Sequence, residues 1–437
     1  MRNFKLLGKI KQILNRSSFY KDVLTLMSGT AIAQMATVIL APIISRIYSP
    51  SDMAVFATYL SFVSIFGSVI TLKYELAIVL PEKDEDSINI TGLAIIISFF
   101  ISILIFIVLY LWGIQLLNIV SNKKITSTTW IYFVPLAVLT VGIFNTLNYW
   151  VNRKSKFKRL AVSRITQSFG MLGSQIGLGF SILKRAGLVF GEILGRVSAT
   201  CVLAVTSIKE DKAFIRQITM KRMKVQFKRY KNFPKYSLPA DLVNVVTNQI
   251  PVFTLNRFFS SNILGNYALM DRVLGVPVSM VGRAVLDVFK QRASSDFSTK
   301  GNCLKIFIKT FKTLVLASIV PTLVLGIFAP HLFKFIFGSN WELAGEFARI
   351  MAILFFFRFT ASPLSYMFYI AEKQHYDMIW QIVLFFTSLG SFSLGVYFNN
   401  VKIGIWSYAV SYSIMYIIYI WLAYNLAKGN LIKSVSK

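Results

Sequence analysis

Long apolar runs alternate with short polar connections over most of the 437 residues. A helix needs about 20 mostly apolar residues to cross the hydrocarbon core of a bilayer, and twelve runs are long enough. They lack the alternation of barrel strands, so we predict helices, which satisfy their own backbone hydrogen bonds in lipid. The predicted spans centre near Ala33, Ser64, Ser102, Leu139, Gly173, Gly195, Thr247, Val276, Val315, Phe356, Thr387 and Ser413.

The longest polar segment, residues 209–235, divides the spans six and six. We therefore predict an all-α polytopic membrane protein with two six-helix lobes. Residues 1–215 form the first lobe, with an interfacial helix and spans 1–6, and residues 216–437 form the second, with spans 7–12. The interfacial helix is predicted from apolar residues at roughly helical spacing in the basic N-terminal stretch, namely Phe4, Leu7, Ile10 and Leu14.

An internal repeat supports the two-lobe arrangement. Residues 46–57 align without gaps on residues 257–268. The shared pattern is Arg, two bulky residues, Ser, three variable positions, Met or Leu, Ala or Gly, a variable position, Phe or Tyr, and Ala. Because an even number of spans separates the copies, both halves have the same orientation, which predicts a parallel repeat about an axis along the membrane normal. Arg46 and Arg257 then occupy equivalent places.

Composition and charge narrow the class of protein. With 55% hydrophobic residues, a mean hydropathy of +0.61 and 38 Phe, the chain is too apolar for a soluble globule. The net charge of +29 is compatible with nucleic-acid binding, but the charge follows the predicted topology: the cytoplasmic segments hold 30 Lys and Arg and the outer loops hold six. This asymmetry predicts both termini in the cytoplasm and no nucleic-acid partner.

The sequence contains no signature of catalysis. It has no nucleotide-binding Gly-rich loop and no metal-ligand spacing, and its two histidines, His331 and His375, lie in or beside loops. We predict a protein that is not an enzyme and that needs no metal or cofactor.

Cations inside or beside the spans are the main chemical feature. An ionised side chain near mid-membrane is costly unless it faces water or a partner, so Arg164, Arg272 and Arg358 each require an aqueous cavity or an acidic neighbour. Cations near span ends either contribute to such a cavity or extend to lipid headgroups, and these are Arg46, Lys73 and Arg257. Arginine suits phosphate because its planar fork donates two parallel hydrogen bonds.

Polar and acidic residues share faces of several spans. Asn244 and Asn248 lie on the face of span 7 that carries Asp241, where they bind substrate or join neighbouring helices. Asp241 is either a carboxylate that couples transport to an ion or one held by backbone N–H groups at the helix N-terminus. Glu192 and Asp271 are further coupling candidates, and two pairs at i,i+4 spacing are alternatively structural ion pairs: Glu192 with Arg196, and Arg283 with Asp287.

Three stretches resemble a known family. RIYSPSD at residues 46–52, KYELAIVLP at 73–81 and NYWVNRKSKFKR at 148–159 are similar to bacterial polysaccharide repeat-unit flippases of the O-antigen type. These belong to the superfamily of multidrug and toxin extrusion transporters and the lipid II flippase. The resemblance covers essentially the whole chain in length, span count and lobe division.

A second match concerns the lipid II flippase. Asp271 and Arg272, followed by Pro277, resemble an Asp-Arg and a following Pro of that protein, whose Arg lines the central cavity and binds the lipid pyrophosphate. The resemblance implies that role for Arg272. The cavity arginines in the first span of the lipid II flippase have no counterpart here, which leaves Arg164 and Lys73 as candidates to complete the site. Its two extra spans are also missing, which argues against lipid II as substrate.

The resemblance implies translocation across the bacterial inner membrane by alternating access. The expected substrate is an undecaprenyl-pyrophosphate-linked oligosaccharide for surface polysaccharide synthesis; membrane lipid and the polysaccharide polymerase machinery are further expected partners. Two alternatives stay open. A cation-coupled drug exporter would favour an acidic cavity, against the arginine excess here, and a membrane-embedded polysaccharide polymerase would be expected to have a large outer loop.

Overall fold

The computed structural model describes residues 28–121 and 128–429, and no β-strand occurs within these ranges. The predicted all-α class is confirmed, and every predicted span centre falls in a long helix. The first span is a helix over 28–39 (α1), a turn at Leu40 and α2 (Ala41–Ile47). The other eleven are α3 (Pro50–Val69), α4 (Asp84–Val120), α5 (Val134–Arg153), α6 (Phe157–Gly179), α7 (Lys184–Glu210), α10 (Leu238–Phe258), α11 (Ser261–Lys300), α12 (Leu304–Phe337), α13 (Glu342–Ala361), α15 (Gln374–Tyr397) and α16 (Val401–Ala427).

Short helices fill the connections. A 3₁₀ segment at Tyr74–Val79 joins α3 to α4, and α8 (Lys212–Ile215) and α9 (Met220–Arg229) lie between α7 and α10. A single turn, α14 (Met367–Ile370), precedes α15. The predicted interfacial helix lies outside the described residues.

Apolarity is not uniform among the long helices. Within the described ranges, nine helical segments are long and apolar enough to cross a membrane, which makes this a multi-pass membrane protein. Of the twelve predicted spans, α6, α10 and α11 do not meet that measure. Each carries several polar or charged residues, and these three helices hold Arg164, Asp241 and Asp271 respectively. Such helices are poor lipid-facing elements and are suited to contact other helices or water.

The described chain forms two compact units. Unit 1 contains residues 62–111 and 129–239 with the described part of 1–40, and unit 2 contains residues 41–61 with the described parts of 112–128 and 240–437. The predicted lobe boundary between residues 215 and 216 stays a prediction.

In unit 1, the basic residues at the C-terminal end of α5 bind the start of α4. Arg153 bonds Asp84 at 2.9 Å and the carbonyl of Pro81 at 2.6 Å, and Lys154 bonds the other Asp84 oxygen at 2.7 Å. These bonds fix the end of α5 against the connection between the 3₁₀ segment and α4. Part of the 148–159 motif is therefore explained by folding.

A second anchor of unit 1 is the buried carboxylate of Asp211. It accepts hydrogen bonds from Trp150 Nε1 at 3.1 Å and Arg159 Nη1 at 2.9 Å. Because both partners donate to one buried acceptor, the anchor ties α5 and α6 to the end of α7. Trp150 and Arg159 also belong to the 148–159 motif.

In unit 2, the sequence repeat corresponds to a repeated helix–break–helix. Arg46 and Arg257 are each the second-last residue of a helix. Three residues later, the hydroxyls of Ser49 and Ser260 accept from backbone N–H groups in the first turn of the next helix, at 3.3 and 3.4 Å. This is N-capping. Local structure thus explains the conserved spacing of Arg and Ser between the two copies.

The start of α3 packs tightly on the start of α11. A side chain at Gly265 would overlap the backbone of Pro50, so the two helices approach closely only because Gly265 has no Cβ. Met53 and Leu264, at equivalent positions of the repeat, are buried. The contact holds together the elements that carry the candidate site.

We expect Gly265→Ala to lower the stability of the purified protein by about 3 kcal/mol, because the added methyl would force two backbones apart. Gly282→Ala on the same helix is the matched control, since a Cβ there meets nothing within 4 Å. Alanine is the better helix former, so the control should be neutral or stabilising. Thermal unfolding in detergent gives the comparison, and equal melting temperatures for the two variants would disprove the close contact.

Candidate functional site

Unit 2 contains a group of charged side chains within its helices. Arg358 of α13 interacts electrostatically with the carboxylate of Asp271 on α11. It also interacts with Tyr408, Tyr412 and Tyr416, which recur every four residues along α16 and so share one face. A guanidinium is thereby placed among three phenol groups and one carboxylate.

The aromatic side of this cluster is rigid. Tyr412, Tyr416 and Tyr419 contact the ring of Trp380 on α15, with ring centroids 6.2, 5.6 and 4.7 Å away. The Trp380 Nε1–H donates to the carbonyl of Met415 at 3.2 Å. Packed rings with a fixed tryptophan leave the tyrosines little freedom, so the surroundings of Arg358 are preorganised.

Asp271 is exposed although the residues just before it, Leu269 and Met270, are fully buried. Its helix is not among those apolar enough to count as candidate membrane spans. A carboxylate within membrane-spanning helices requires water or a cation, and Arg358 supplies the cation for Asp271. The helix α11 therefore presents a polar surface at Asp271.

Arg272 is the best candidate for binding an anion. Its guanidinium lies over the ring of Phe56, 5.9 Å from the centroid, which is a cation–π arrangement. Its Nη1 is buried and, within the described chain, has no hydrogen-bond partner. A buried donor left unused is costly, and a phosphate oxygen would satisfy it with a charge-assisted bond.

The other predicted cations have different surroundings. Arg257 donates to the carbonyls of Asn118 and Ser121 at 2.9 and 3.2 Å, and so binds the C-terminal end of α4, where a cation is favoured by the helix dipole. Arg46 is exposed at the end of α2. Both residues belong to unit 2, but the contacts of Arg257 fit a structural role.

Two further predicted cations belong to unit 1. Arg164 donates to Thr30 Oγ1 at 2.6 Å, which joins α6 to α1. Lys73 precedes the 3₁₀ turn in a left-handed conformation with φ of 64°. The predicted role of either residue in completing a pyrophosphate site stays a prediction.

The polar face of α10 connects to α15. Asn244 Nδ2 donates to Gln381 Oε1 at 2.7 Å, and Asn248 Nδ2 donates to the carbonyl and side-chain oxygens of Asn244 at 2.9 and 3.2 Å. Asp241 is partly buried about one turn before Asn244. Asn244 therefore joins two helices, as interhelical amides do in membranes.

The two predicted ion pairs differ in outcome. Glu192 and Arg196 bond each other along α7, as predicted. Arg283 and Asp287 are both exposed, and no ion pair within 4 Å joins them in the described chain. Across residues 28–121 and 128–429, no group of three His, Cys, Asp or Glu side chains is placed to hold a metal ion.

Sequence reasoning missed the tyrosines of α16. Their spacing of four residues was visible, but tyrosines in an apolar span look like ordinary packing residues. Only the approach of α13 and α11 shows that they surround a cation. The approach of Trp380 from α15 was equally invisible in the sequence.

The sequence of this chain matches a known protein family. A family model described as "Polysaccharide biosynthesis protein" matches residues 43–346. No curated protein sequence matches the chain.

Solved structures share the fold at low sequence identity. The lipid II flippase MurJ in an inward closed conformation has a TM-score of 0.73 and 12% identity, covering 94% of this chain and 91% of that one. An inward-facing multidrug resistance MATE family transporter of the MOP superfamily has a TM-score of 0.65 and 11% identity, and the match covers 91% of this chain and 93% of that one. A MOP superfamily transporter from Pyrococcus furiosus, described as having a binding pocket of reverse polarity, has a TM-score of 0.60 and 14% identity. The match covers 93% of this chain and 96% of that one.

We expect Asp271 and Arg358 to be energetically coupled. Arg358→Gln should destabilise the protein because it leaves the Asp271 carboxylate without its cation, and adding Asp271→Asn should recover part of the loss. A double-mutant cycle on thermal or denaturant unfolding should give a coupling of about 1 to 3 kcal/mol. Additive effects of the two substitutions would show that the pair does not interact.

Proposed function

We propose that this chain, which belongs to the polysaccharide biosynthesis protein family, is a flippase. Its substrate is an oligosaccharide repeat unit linked by pyrophosphate to a polyprenyl carrier such as undecaprenol, moved across the bacterial inner membrane for surface polysaccharide synthesis. The observation that carries the proposal is the buried, unused Nη1 donor of Arg272 in a membrane-spanning unit. Arg272 follows Asp271 in sequence, and the Asp271 carboxylate interacts with Arg358.

The chemistry of the site fits an anionic headgroup. Pyrophosphate brings several acceptor oxygens, and Arg272 offers a donor that the protein itself does not use. Arg358 adds a second cation, held by Asp271 until an anion or a proton weakens that interaction.

Translocation follows if the site opens alternately to the two sides of the membrane. The headgroup then stays on polar helices while the polyprenyl tail stays in lipid. In this arrangement both termini are cytoplasmic, because the Lys and Arg residues are concentrated in the segments on that side. Polysaccharide polymerase machinery on the far side would consume the translocated unit.

A multidrug exporter is the alternative that the fold allows, because a MATE family transporter shares it. Charge argues against that alternative. A site for cationic drugs should present acidic groups, whereas this one presents Arg272 and Arg358, and its carboxylate, Asp271, interacts with Arg358.

Replacing Arg272 tests the substrate site. In a strain whose own flippase is deleted, Arg272→Ala should abolish surface polysaccharide while the protein remains in the membrane. Arg272→Lys should restore only part, because the bidentate geometry of the guanidinium is lost. The control is Arg292→Ala, an exposed cation on the same helix, which should export normally. Normal export by Arg272→Ala at native expression would contradict the assignment.

The second test concerns ion coupling, for which Asp241 is the first candidate. Asp241→Asn imitates the protonated carboxylate, so in proteoliposomes it should keep binding of the lipid-linked sugar and lose the dependence of transport on pH or sodium. Transport with unchanged ion dependence would remove Asp241 from the mechanism and leave Glu192 and Asp271 as candidates. Glu192 is the weaker of these two, since Arg196 already engages its carboxylate.

A further inference from the structure

A groove of about 570 Å³ lies between α12 and α13 of unit 2. The two helices are antiparallel, with Gly345 of α13 against Pro330 of α12. On α12 the groove extends from Ile319 to Ile327, which is about 12 Å of helix. Its lining includes Leu323, Gly326 and Ile327 of α12 and Arg349, Ala352 and Phe356 of α13.

The floor of the groove is formed by residues with little or no side chain. A Cβ on Gly326 would meet nothing within 4 Å, and Ala352 lines the groove from α13. Leu323 and Ile327 are 57% and 61% exposed, so this face is apolar yet uncovered by protein. In a membrane protein such a face contacts hydrocarbon chains.

Arg349 is the exception on this apolar face. It is exposed, and within the described part of the chain it has no ion-pair or hydrogen-bond partner. The nearest acids on α13 are engaged elsewhere, since Glu346 pairs with Lys402 at 2.7 Å and Glu342 with Lys334 at 2.9 Å. A lone guanidinium beside an apolar groove is available to bind an anion from outside the protein.

The groove is separate from the candidate substrate site. Arg349 and Arg358 are nine residues apart on α13, and at 100° per residue they point to opposite sides of the helix. Arg358 faces the tyrosines of α16, whereas Arg349 faces the groove. The groove and the surroundings of Arg358 are therefore different sites on α13.

We infer that this groove binds one anionic membrane phospholipid. Its phosphate contacts Arg349, and one acyl chain lies along Gly326 and Ala352 towards Phe356. The apolar walls match the chain, and the unpaired guanidinium matches the headgroup charge. The inference goes beyond the proposed function, because it assigns a resident lipid that is not transported.

Native mass spectrometry of the detergent-purified full chain, titrated with phosphatidylglycerol, tests this site. Gly326→Leu should fill the groove, and Arg349→Gln should remove the charge; each should reduce the one-lipid adduct roughly fivefold or more. Arg349→Lys should restore most of it. The controls are Gly390→Leu, another helical glycine with open space around its Cβ, and Lys312→Gln, an exposed cation on α12 outside the groove.

Three results would overturn the inference. One is an adduct that is unchanged in both Gly326→Leu and Arg349→Gln, which would mean that Arg349 only extends to the headgroup layer. Another is equal binding of phosphatidylcholine, which would remove the charge recognition. The third is displacement of phosphatidylglycerol by a polyprenyl phosphate, which would make the groove a substrate-tail site. None of these readouts measures transport. The lipid site can therefore be disproved while the proposed function stands, and the proposed function can be disproved while the lipid site stands.

Discussion

The cost of an ionised group inside a membrane is the constraint on which this structure depends. Arg358 avoids that cost through Asp271 and three tyrosines, and Asp271 avoids it through Arg358. Arg272 avoids only part of it, since a cation–π contact with Phe56 leaves one buried donor unused. The incompletely satisfied group is where a ligand gains most, because its binding removes a penalty that the free protein carries.

The same constraint separates structural from functional cations. Arg153, Lys154 and Arg159 of unit 1 are engaged by Asp84, Glu210 and Asp211. Arg257 binds the end of α4. These side chains have little free capacity to bind an anion. Family-like sequence motifs are therefore poor guides to the site by themselves, since much of the 148–159 motif serves folding.

The sequence predicted the helices because a membrane imposes a minimum apolar length, which any chain must obey. It predicted the Glu192–Arg196 pair because residues four apart on a helix are neighbours, although the same spacing does not pair the exposed Arg283 and Asp287 in the described chain. It also predicted the place of Arg46 and Arg257 at a helix end, from the spacing of the repeat. These are local properties, so a one-dimensional pattern contains them.

Contacts between distant helices could not be predicted in this way. The tyrosines around Arg358 come from α16, more than forty residues later in the chain. The partner of Asn244 is Gln381, and the close approach of Gly265 to Pro50 joins two repeat copies. Each depends on how helices pack, which a single sequence does not specify. The groove at Arg349 depends on such packing too, because it forms only where α12 and α13 meet.

The most direct test of the central claim compares two cargoes in the same proteoliposomes. Purified protein is given either a polyprenyl-pyrophosphate-linked oligosaccharide or a cationic drug, and movement across the bilayer is followed for each. A substrate site at Arg272 should accelerate transfer of the pyrophosphate lipid and leave the drug unmoved. Export of the drug without movement of the lipid would contradict the account and identify a cation exporter.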